Sequence, residues 1–486
     1  KVLMKKGCPS RTKTLDAPPA CPQKTFASPF RPAGKGEKAI RSRNNLASRR
    51  VRGNGGEIQQ GTEMAVCVAG AGSASRRGSV GRCHECSKDL GSSSSSSSSE
   101  PEAAPEADEE LQKNRRQPSP RQLSRRSSVP QVLRPVPPDG RKLVLHFDAR
   151  NTIFVADLFS RITVEMALNT YISGVVWGEE QQDGGWHCIS DAPSLYPPRP
   201  GVTSLYKLFE RAIVRVPEDR QRLRETLGNF TEQPHGRRFR RLFQEKLRRL
   251  RWPYEAANDK LTVTGQDGSA YHYLLPSFLN LVQALEASGR EFCIVIRTFG
   301  RDAPHILNAL DMLAKGQHPG YPRRLDMKVN LEPERFQRLA ADKFRYLRSD
   351  GVELTQERQV YEHWSSSCGA MAVVDDFAFW QVNNYSSSAS KLLWFDPRDT
   401  RIQHIIFDDN IRVFDEDSIV HFRSFETATD EGTDCPPERL QSLENALFVT
   451  ADLLESSSDA NYFIDRVLQC EVNYDRLCSE FPAVDS

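Results

Sequence analysis

From Arg141 onward the chain alternates apolar and polar stretches as a folded protein does, and three apolar runs set the frame. Val144 to Phe147, Phe292 to Arg297 and His404 to Phe407 are short, nearly unbroken and bounded by polar residues. That is the pattern of strands buried on both faces of a sheet. Between and after them the spacing turns helical. Ser204 to Val214 and Pro276 to Ala287 precede the second run, and Ala303 to Ala314 follows it with a polar helical region through Tyr361. Glu438 to Leu454 and Ala460 to Phe481 read as closing helices. Leu261-Thr-Val-Thr, Gly265-Gln-Asp-Gly and Tyr271-His-Tyr read as a hairpin. Strands alternating with helices predict an α/β sheet, with residues 141–152 and 291–486 as its core and 153–290 as an insertion forming its own domain.

Upstream of Arg141 this patterning is missing. Residues 1–140 are dense in Gly, Pro, Ser, Arg and Gln and poor in aromatics, too little apolar surface to offset the entropy of ordering, so a disordered tail is expected. The serine run Ser92 to Ser99, an acidic patch from Glu100 to Glu110 and a basic Pro/Ser-rich stretch to Pro138 make a tether. Met64 opens the smoother run Met-Ala-Val-Cys-Val-Ala-Gly, which leaves two readings for residues 1–63: native tail or upstream sequence. Arg76-Arg77-Gly78-Ser79 and Arg125-Arg126-Ser127-Ser128 resemble the consensus of basophilic kinases. Ser79 and Ser128 are therefore candidate phosphorylation sites, where a phosphate would add about two negative charges.

Charge narrows the partners. The net charge is +2, but about 25 basic and about 13 acidic residues precede Arg141, which leaves the remainder near −10. An acidic folded region argues against nucleic acid as its ligand, because phosphate backbones need clustered cations. Eleven cysteines at scattered spacing suit a reducing compartment better than a disulfide framework, and Cys83-His-Glu-Cys86 lacks the second pair of a zinc site. No apolar stretch reaches the roughly 20 residues of a membrane helix and no cleavable signal pattern appears, so a soluble cytoplasmic protein is expected. Within the insertion, Phe239, Leu242, Phe243, Leu247 and Leu250 share a helical face ringed by eight Lys and Arg residues between Arg237 and Arg251. Its stripe has three readings: packing on its own domain, which is favoured, a partner or membrane surface, or cations turned toward an anionic substrate.

The chemistry lies at the ends of the strands. Attack on a phosphoryl group by an enzyme carboxylate needs the carboxylate, a magnesium ion, donors for the phosphoryl oxygens and a proton shuttle. Asp148 ends the first run and serves as nucleophile and metal ligand. Thr298 follows the second run and offers a hydroxyl. Lys391 supplies a point charge, and Asp408 and Asp409 end the third run as hard oxygen ligands for Mg²⁺. These motifs resemble the haloacid dehalogenase-like (HAD-like) hydrolase superfamily over residues 141 to 425. Its first motif, D-x-D-x-T, is matched by Asp148 and Thr152, its second by Thr298, its third by Lys391 and its fourth by Asp408 and Asp409, with Asp375 and Asp376 in reserve for the fourth.

The resemblance implies a Rossmann-like parallel sheet, a largely helical cap in the insertion, Mg²⁺, and a phosphorylated small molecule or phosphoprotein as substrate. Arg150 departs from it. The second acidic residue of the first motif, which in the family's phosphatases protonates the leaving group and then activates water, is replaced by a group that is always protonated and has no acceptor. A guanidinium within about 6 Å of a divalent cation would also cost about 5 kcal/mol unless it points away. Three readings therefore stand. The first is a phosphohydrolase or phosphotransferase acting through Asp148. The second is a catalytically lapsed binding or regulatory module that meets protein partners through its cap or tail. The third, more distant, is a metal-independent dehalogenase.

Overall fold

The computed structural model describes residues 140–480, apart from 157–158, 160–161, 183, 215–218, 341–342, 413–417 and 426–430. The expected tail through Asp139, with Ser79, Ser128 and the Cys83 to Cys86 pair, lies outside the described residues.

The apolar runs become the middle of one eight-stranded sheet. Its strands are β1 (Lys142–Asp148), β2 (Phe292–Thr298), β3 (Glu334–Arg338), β4 (Phe344–Leu347), β5 (Glu353–Leu354), β6 (Gly369–Val374), β7 (Ile402–Asp408) and β8 (Phe448–Thr450). They lie in the order β5-β4-β3-β6-β2-β1-β7-β8. The six from β3 to β8 in that order are parallel, and β4 and β5 extend the edge antiparallel. The protein is thus mixed α/β with a mostly parallel central sheet.

Side-chain alternation divides each central strand between two apolar layers. Leu143, Leu145, Phe147, Ile294, Ile296, Ile405 and Phe407 point into one cluster with Phe278, Leu281, Ile306, Leu310, Phe463 and Val467 from helices Pro276–Ala287, Ala303–Ala314 and Tyr462–Glu480. Val144, Val295, Val373 and Ile406 point into the other, with Trp364 of helix Glu357–Ser366 and with Trp394 and Phe422 of a small sheet built on Lys391–Phe395 and Val420–Ser424. Burial on both faces is why these strands read as unbroken apolar runs. Phe147 stacks on Phe407 at 4.8 Å and meets Phe278 and Phe463 edge-on. Truncating a ring so placed costs about 3–5 kcal/mol.

The insertion contributes helices Val164–Gly174, Leu205–Ile213, Asp219–Leu227 and Arg240–Leu250, a three-stranded antiparallel sheet and the hairpin Thr262–Thr264 with Ala270–His272. Its apolar residues join the same cluster as one face of the central sheet. Its last helix, Pro276–Ala287, packs on Tyr462–Glu480, with Ser277 Oγ donating to Ser456 O at 2.7 Å. In the basic helix, Phe239 and Leu250 are buried, and Leu242, Phe243 and Leu247 pack on that cluster. The stripe is therefore internal packing.

Three parts of the sequence reading are corrected. The polar region before Tyr361 is not helical throughout, because residues 334–354 form β3, β4 and β5, and the helix begins only at Glu357. Burial alternates residue by residue along β3 and β4, carried by Phe336, Phe344 and Tyr346, a period of two hidden among long polar side chains. Glu438 to Leu454 is not one helix either. Pro437–Leu443 ends before Asn445, whose φ of 57° turns the chain so that β8 can pair with β7. Strands Lys391–Phe395 and Val420–Ser424 were not expected at all.

Candidate functional site

Because β2, β1 and β7 are neighbours and parallel, their carboxyl ends share one rim, where open α/β sheets bind ligands. Asp148 is the last residue of β1 and Asp408 the last of β7. Lys391 opens the strand Lys391–Phe395. Its Nζ donates to Asp148 Oδ1 at 2.5 Å and to Asp408 Oδ2 at 2.7 Å. Single oxygens of Asp148, Asp408 and Asp409 all lie within 4.8 Å of one another. Thr298 ends β2 one residue beyond Arg297, the register partner of Asp148, and its Oγ1 accepts from Gly300 N at 2.9 Å. Four residues expected from the sequence thus converge by direct contact or short oxygen separation, and Thr298 joins them by register.

The charges do not balance within the group. Three carboxylates face one ammonium, and Asp148, Asp408 and Lys391 are all buried. Burial works against the charge on Lys391, but Asp148 and Asp408 hold its pKa above the ordinary lysine value. Burial pushes Asp148 up, as do Asp408 and Asp409, while Lys391 pulls it down. Burial, then Asp408, pushes Asp409 up to about 7. With the ammonium in contact with Asp148, we place the extra proton of the cation-free cluster on Asp409. Hard carboxylate oxygens at this separation, carrying surplus negative charge, are a donor set suited to a divalent cation.

The reserve acid pair has other work. Asp375 takes a two-pronged ion pair from Arg297, with Nε at 3.0 Å and a terminal nitrogen at 2.6 Å. The remaining guanidinium nitrogen donates to Leu392 O. Asp376 accepts from Phe379 N at 3.0 Å as the cap of helix Phe377–Val382, and from Arg338 N.

Sequence reasoning missed three residues around the site. Asn151, held at φ 60°, donates from Nδ2 to Asp409 Oδ2 at 3.1 Å. Arg297 is a fully buried charge inside an apolar strand, a signal that a buried carboxylate must exist. Phe299 places its ring 5.4 Å from Lys391 Nζ and stacks on Trp380, which meets Tyr385 edge-on. Arg220 of the insertion lies 4.7 Å over Tyr385. Thr152 is fully buried, and its Oγ1 meets no hydrogen-bond partner among the described residues. Arg150 is half-buried and bridged to Phe154, and burial and Glu210 push the phenol of Tyr206 in the insertion up against the weaker opposing charges of Arg220, Arg224 and Arg150.

No helix among the described residues is long and apolar enough to cross a membrane. The chain matches no protein-family model, no curated protein and no solved structure.

Proposed function

We propose that this chain is a magnesium-dependent phosphoryl-transfer enzyme of the HAD-like type, a phosphohydrolase or phosphotransferase acting through an aspartyl-phosphate on Asp148. One observation carries the reading: residues as far apart in sequence as Asp148, Lys391 and Asp408 meet in direct contact at the carboxyl rim of a parallel sheet. The insertion between β1 and β2 takes the part of a cap, and a phosphorylated small molecule or phosphoprotein is the substrate class.

Each side chain has a task that its surroundings support. Asp148 supplies the nucleophilic oxygen, and Lys391 lies against it to neutralise both nucleophile and phosphoryl group. Thr298 accepts from Gly300 N, which leaves its hydroxyl proton for a phosphoryl oxygen. Asp148, Asp408 and Asp409 would hold Mg²⁺, which when bound supplies positive charge against the charge developing on the phosphoryl oxygens. The test is release of phosphate from a panel of phosphoesters by the full chain, with and without Mg²⁺. Asp148→Asn is expected to reduce turnover by at least about a thousandfold. Turnover indifferent to that change, or to chelation of the metal, would refute the reading.

Arg150 favours a second reading, a non-catalytic module that keeps the pocket and binds partners. An inert wild type, still inert after Arg150→Asp, together with a stable protein partner that binds through the insertion, would select it.

A further inference from the structure

We infer that the rim beside Lys391 carries a subsite for an aromatic group, built by Phe299, Phe377, Trp380 and Tyr385, so that the substrate is a phosphate ester with a planar ring close to its ester oxygen. The inference rests on the reading of Asp148 and Lys391 as the phosphoryl site and names the substrate class of that site.

Helix Phe377–Val382 has the sequence Phe-Ala-Phe-Trp-Gln-Val, five apolar side chains out of six, and none of the six is buried. Elsewhere the molecule hides such residues, and Phe147, Phe278 and Phe463 are fully enclosed. Val382 is 75% exposed, more than any other large apolar side chain among the described residues. Apolar surface left open in this way marks a place where something binds.

The position of the helix decides what binds. β6 ends at Val374, the register partner of Thr298, and Asp375 N donates to Thr298 O at 2.8 Å. The helix therefore begins at the carboxyl rim, next to the proposed phosphoryl site. Phe299, the residue after Thr298, joins the two. Its ring lies 5.4 Å from Lys391 Nζ, meets Phe377 edge-on at 5.9 Å and stacks on Trp380 at 4.9 Å with the planes 4° apart. Tyr385 ends the row, edge-on to Trp380 at 5.0 Å. All four rings are partly exposed, so the row stays open to a further ring.

Tyr385 is held in place against its own backbone preference. Asn384 and Tyr385 stand consecutively at φ 56° and 60°, the left-handed region that side chains disfavour, and Tyr385 N donates to Trp380 O at 2.9 Å across the turn. From the insertion, Arg220 lies 4.7 Å over the Tyr385 ring and pairs with Glu210 at 2.7 Å. Strain persists where the surroundings over-determine it, and ligand clamps are among the places that keep it.

The row selects chemistry as well as area. Aromatic rings prefer one another in stacked or edge-on contact, at centroid separations of about 4.5–7 Å. Phe299 is the ring in contact with Lys391, so a ligand ring that reaches it is only a few bonds from phosphorus, as in phenyl, benzyl and tyrosyl phosphates. A nucleobase is held off by its sugar. A saturated ring covers the same apolar area but gains nothing from ring geometry.

The experiment uses the full chain with Mg²⁺ and two esters with similar leaving oxygens, benzyl phosphate and cyclohexylmethyl phosphate. KM for the benzyl ester should be about three- to tenfold lower, the range that an aromatic pair contributes, with similar kcat. Trp380→Leu should bring the ratio of the two KM values to about one. Benzylphosphonate and cyclohexylmethylphosphonate, which are not hydrolysed, give the same comparison by calorimetry, and the wild type decides alone if the variant does not fold. Once the ratio is established, tyrosine phosphate names the source of the ring: equal kcat/KM free and within a peptide means small aryl esters, and a higher value in the peptide means a phosphoprotein. Equal KM values for the two esters, with Asp148 still required, overturn the subsite and leave the proposed function standing. No turnover, with benzylphosphonate still bound more tightly than its saturated counterpart, overturns the function and upholds the subsite. No turnover with equal or absent phosphonate binding overturns both and leaves the open helix to a protein partner.

Discussion

Two strands of the sheet, β6 and β7, end in the same way, with an apolar run followed by paired aspartates, and the two pairs have opposite fates. Asp375 receives a buried arginine of its own, and Asp376 caps a helix. Asp408 shares one lysine with Asp148, and Asp409 accepts from the side chains of Asn151 and Asn410, with the charges of Lys391 and Arg412 acting on it as well. Asp375 is neutralised where it stands, and Asp376 is satisfied by backbone donors. Among the described residues the second pair, together with Asp148, sets three carboxylates around the one ammonium in contact with them, with Arg412 acting on Asp409 as well. A motif of two acids after a strand becomes a candidate metal site only when its counter-charges have been counted.

The sharpest way to break this comparison is to exchange the consequences of mutation. Asp375→Ala leaves Arg297 buried without its counter-charge, and removing one partner of such a pair costs about 3–5 kcal/mol. Urea unfolding of the variant should show that loss. A loss below about 1 kcal/mol would mean that the pair is not the structural element its geometry describes.

Asp408→Asn should behave differently. It removes like charge from a crowded cluster but also one of the two carboxylates on buried Lys391, and because Asp148 stays on that ammonium the cation-free protein should lose less stability than Asp375→Ala does. What disappears is stabilisation by magnesium. Wild type with Mg²⁺ at a hundred times its dissociation constant should gain about 2.7 kcal/mol, and the variant at the same concentration almost nothing. Equal magnesium shifts in thermal melts of the two proteins would remove the cluster from consideration as a cation site.

How much of this was legible beforehand depended on what each residue type declares. β1, β2 and β7 were readable because strands buried on both faces carry continuous apolar runs, and Asp148, Thr298 and Asp408 were readable as polar residues that stop those runs. β3 and β4 were not, since their exposed alternate positions, Arg335, Gln337, Arg345 and Leu347, are long and mostly polar and the buried ones include Glu334 and Arg338, which together mimic a polar helix. Lys391 was placed by its order in the chain, but nothing in Ser-Lys-Leu-Leu-Trp announces that its ammonium spans two aspartates. Chain order after Lys391 had already favoured Asp408 and Asp409, but the physical reason that Asp375 is occupied is Arg297. Its partner lies 78 residues away, and a single sequence carries no sign of that pairing.

A third test is a matter of pH. Asp409, pushed by burial and by Asp408 up to about 7, keeps its proton in the folded, cation-free protein, while the unfolded chain releases it near about 3.9. Between those values the folded state holds more protons, so this group makes the protein less stable as pH rises through that window. Magnesium has to displace the same proton. Its affinity should therefore climb by about tenfold per pH unit below about 7 and level off above, as calorimetric titration across that range would show. A pH-independent affinity would place the proton elsewhere.

The smallest effect reports most directly on how the open pair is tuned. Asn151 stands at φ 60°, a conformation that Asn tolerates and glycine adopts without steric cost, so Asn151→Gly keeps the turn and removes only the side chain. With it goes the Nδ2 donor to Asp409, a bond that favours the ionised carboxylate. The pH at which magnesium binding levels off should move upward, by less than about one unit, and affinity at neutral pH should fall by less than about tenfold. Asn151→Ala removes the same donor but strains the backbone by about 1–2 kcal/mol, so it should share the pH shift and add a loss of stability that the glycine variant largely escapes. A shift common to both variants assigns it to the lost hydrogen bond. A shift in the alanine variant alone would trace it to the distorted turn, and Asn151 would then shape the loop without tuning the acid.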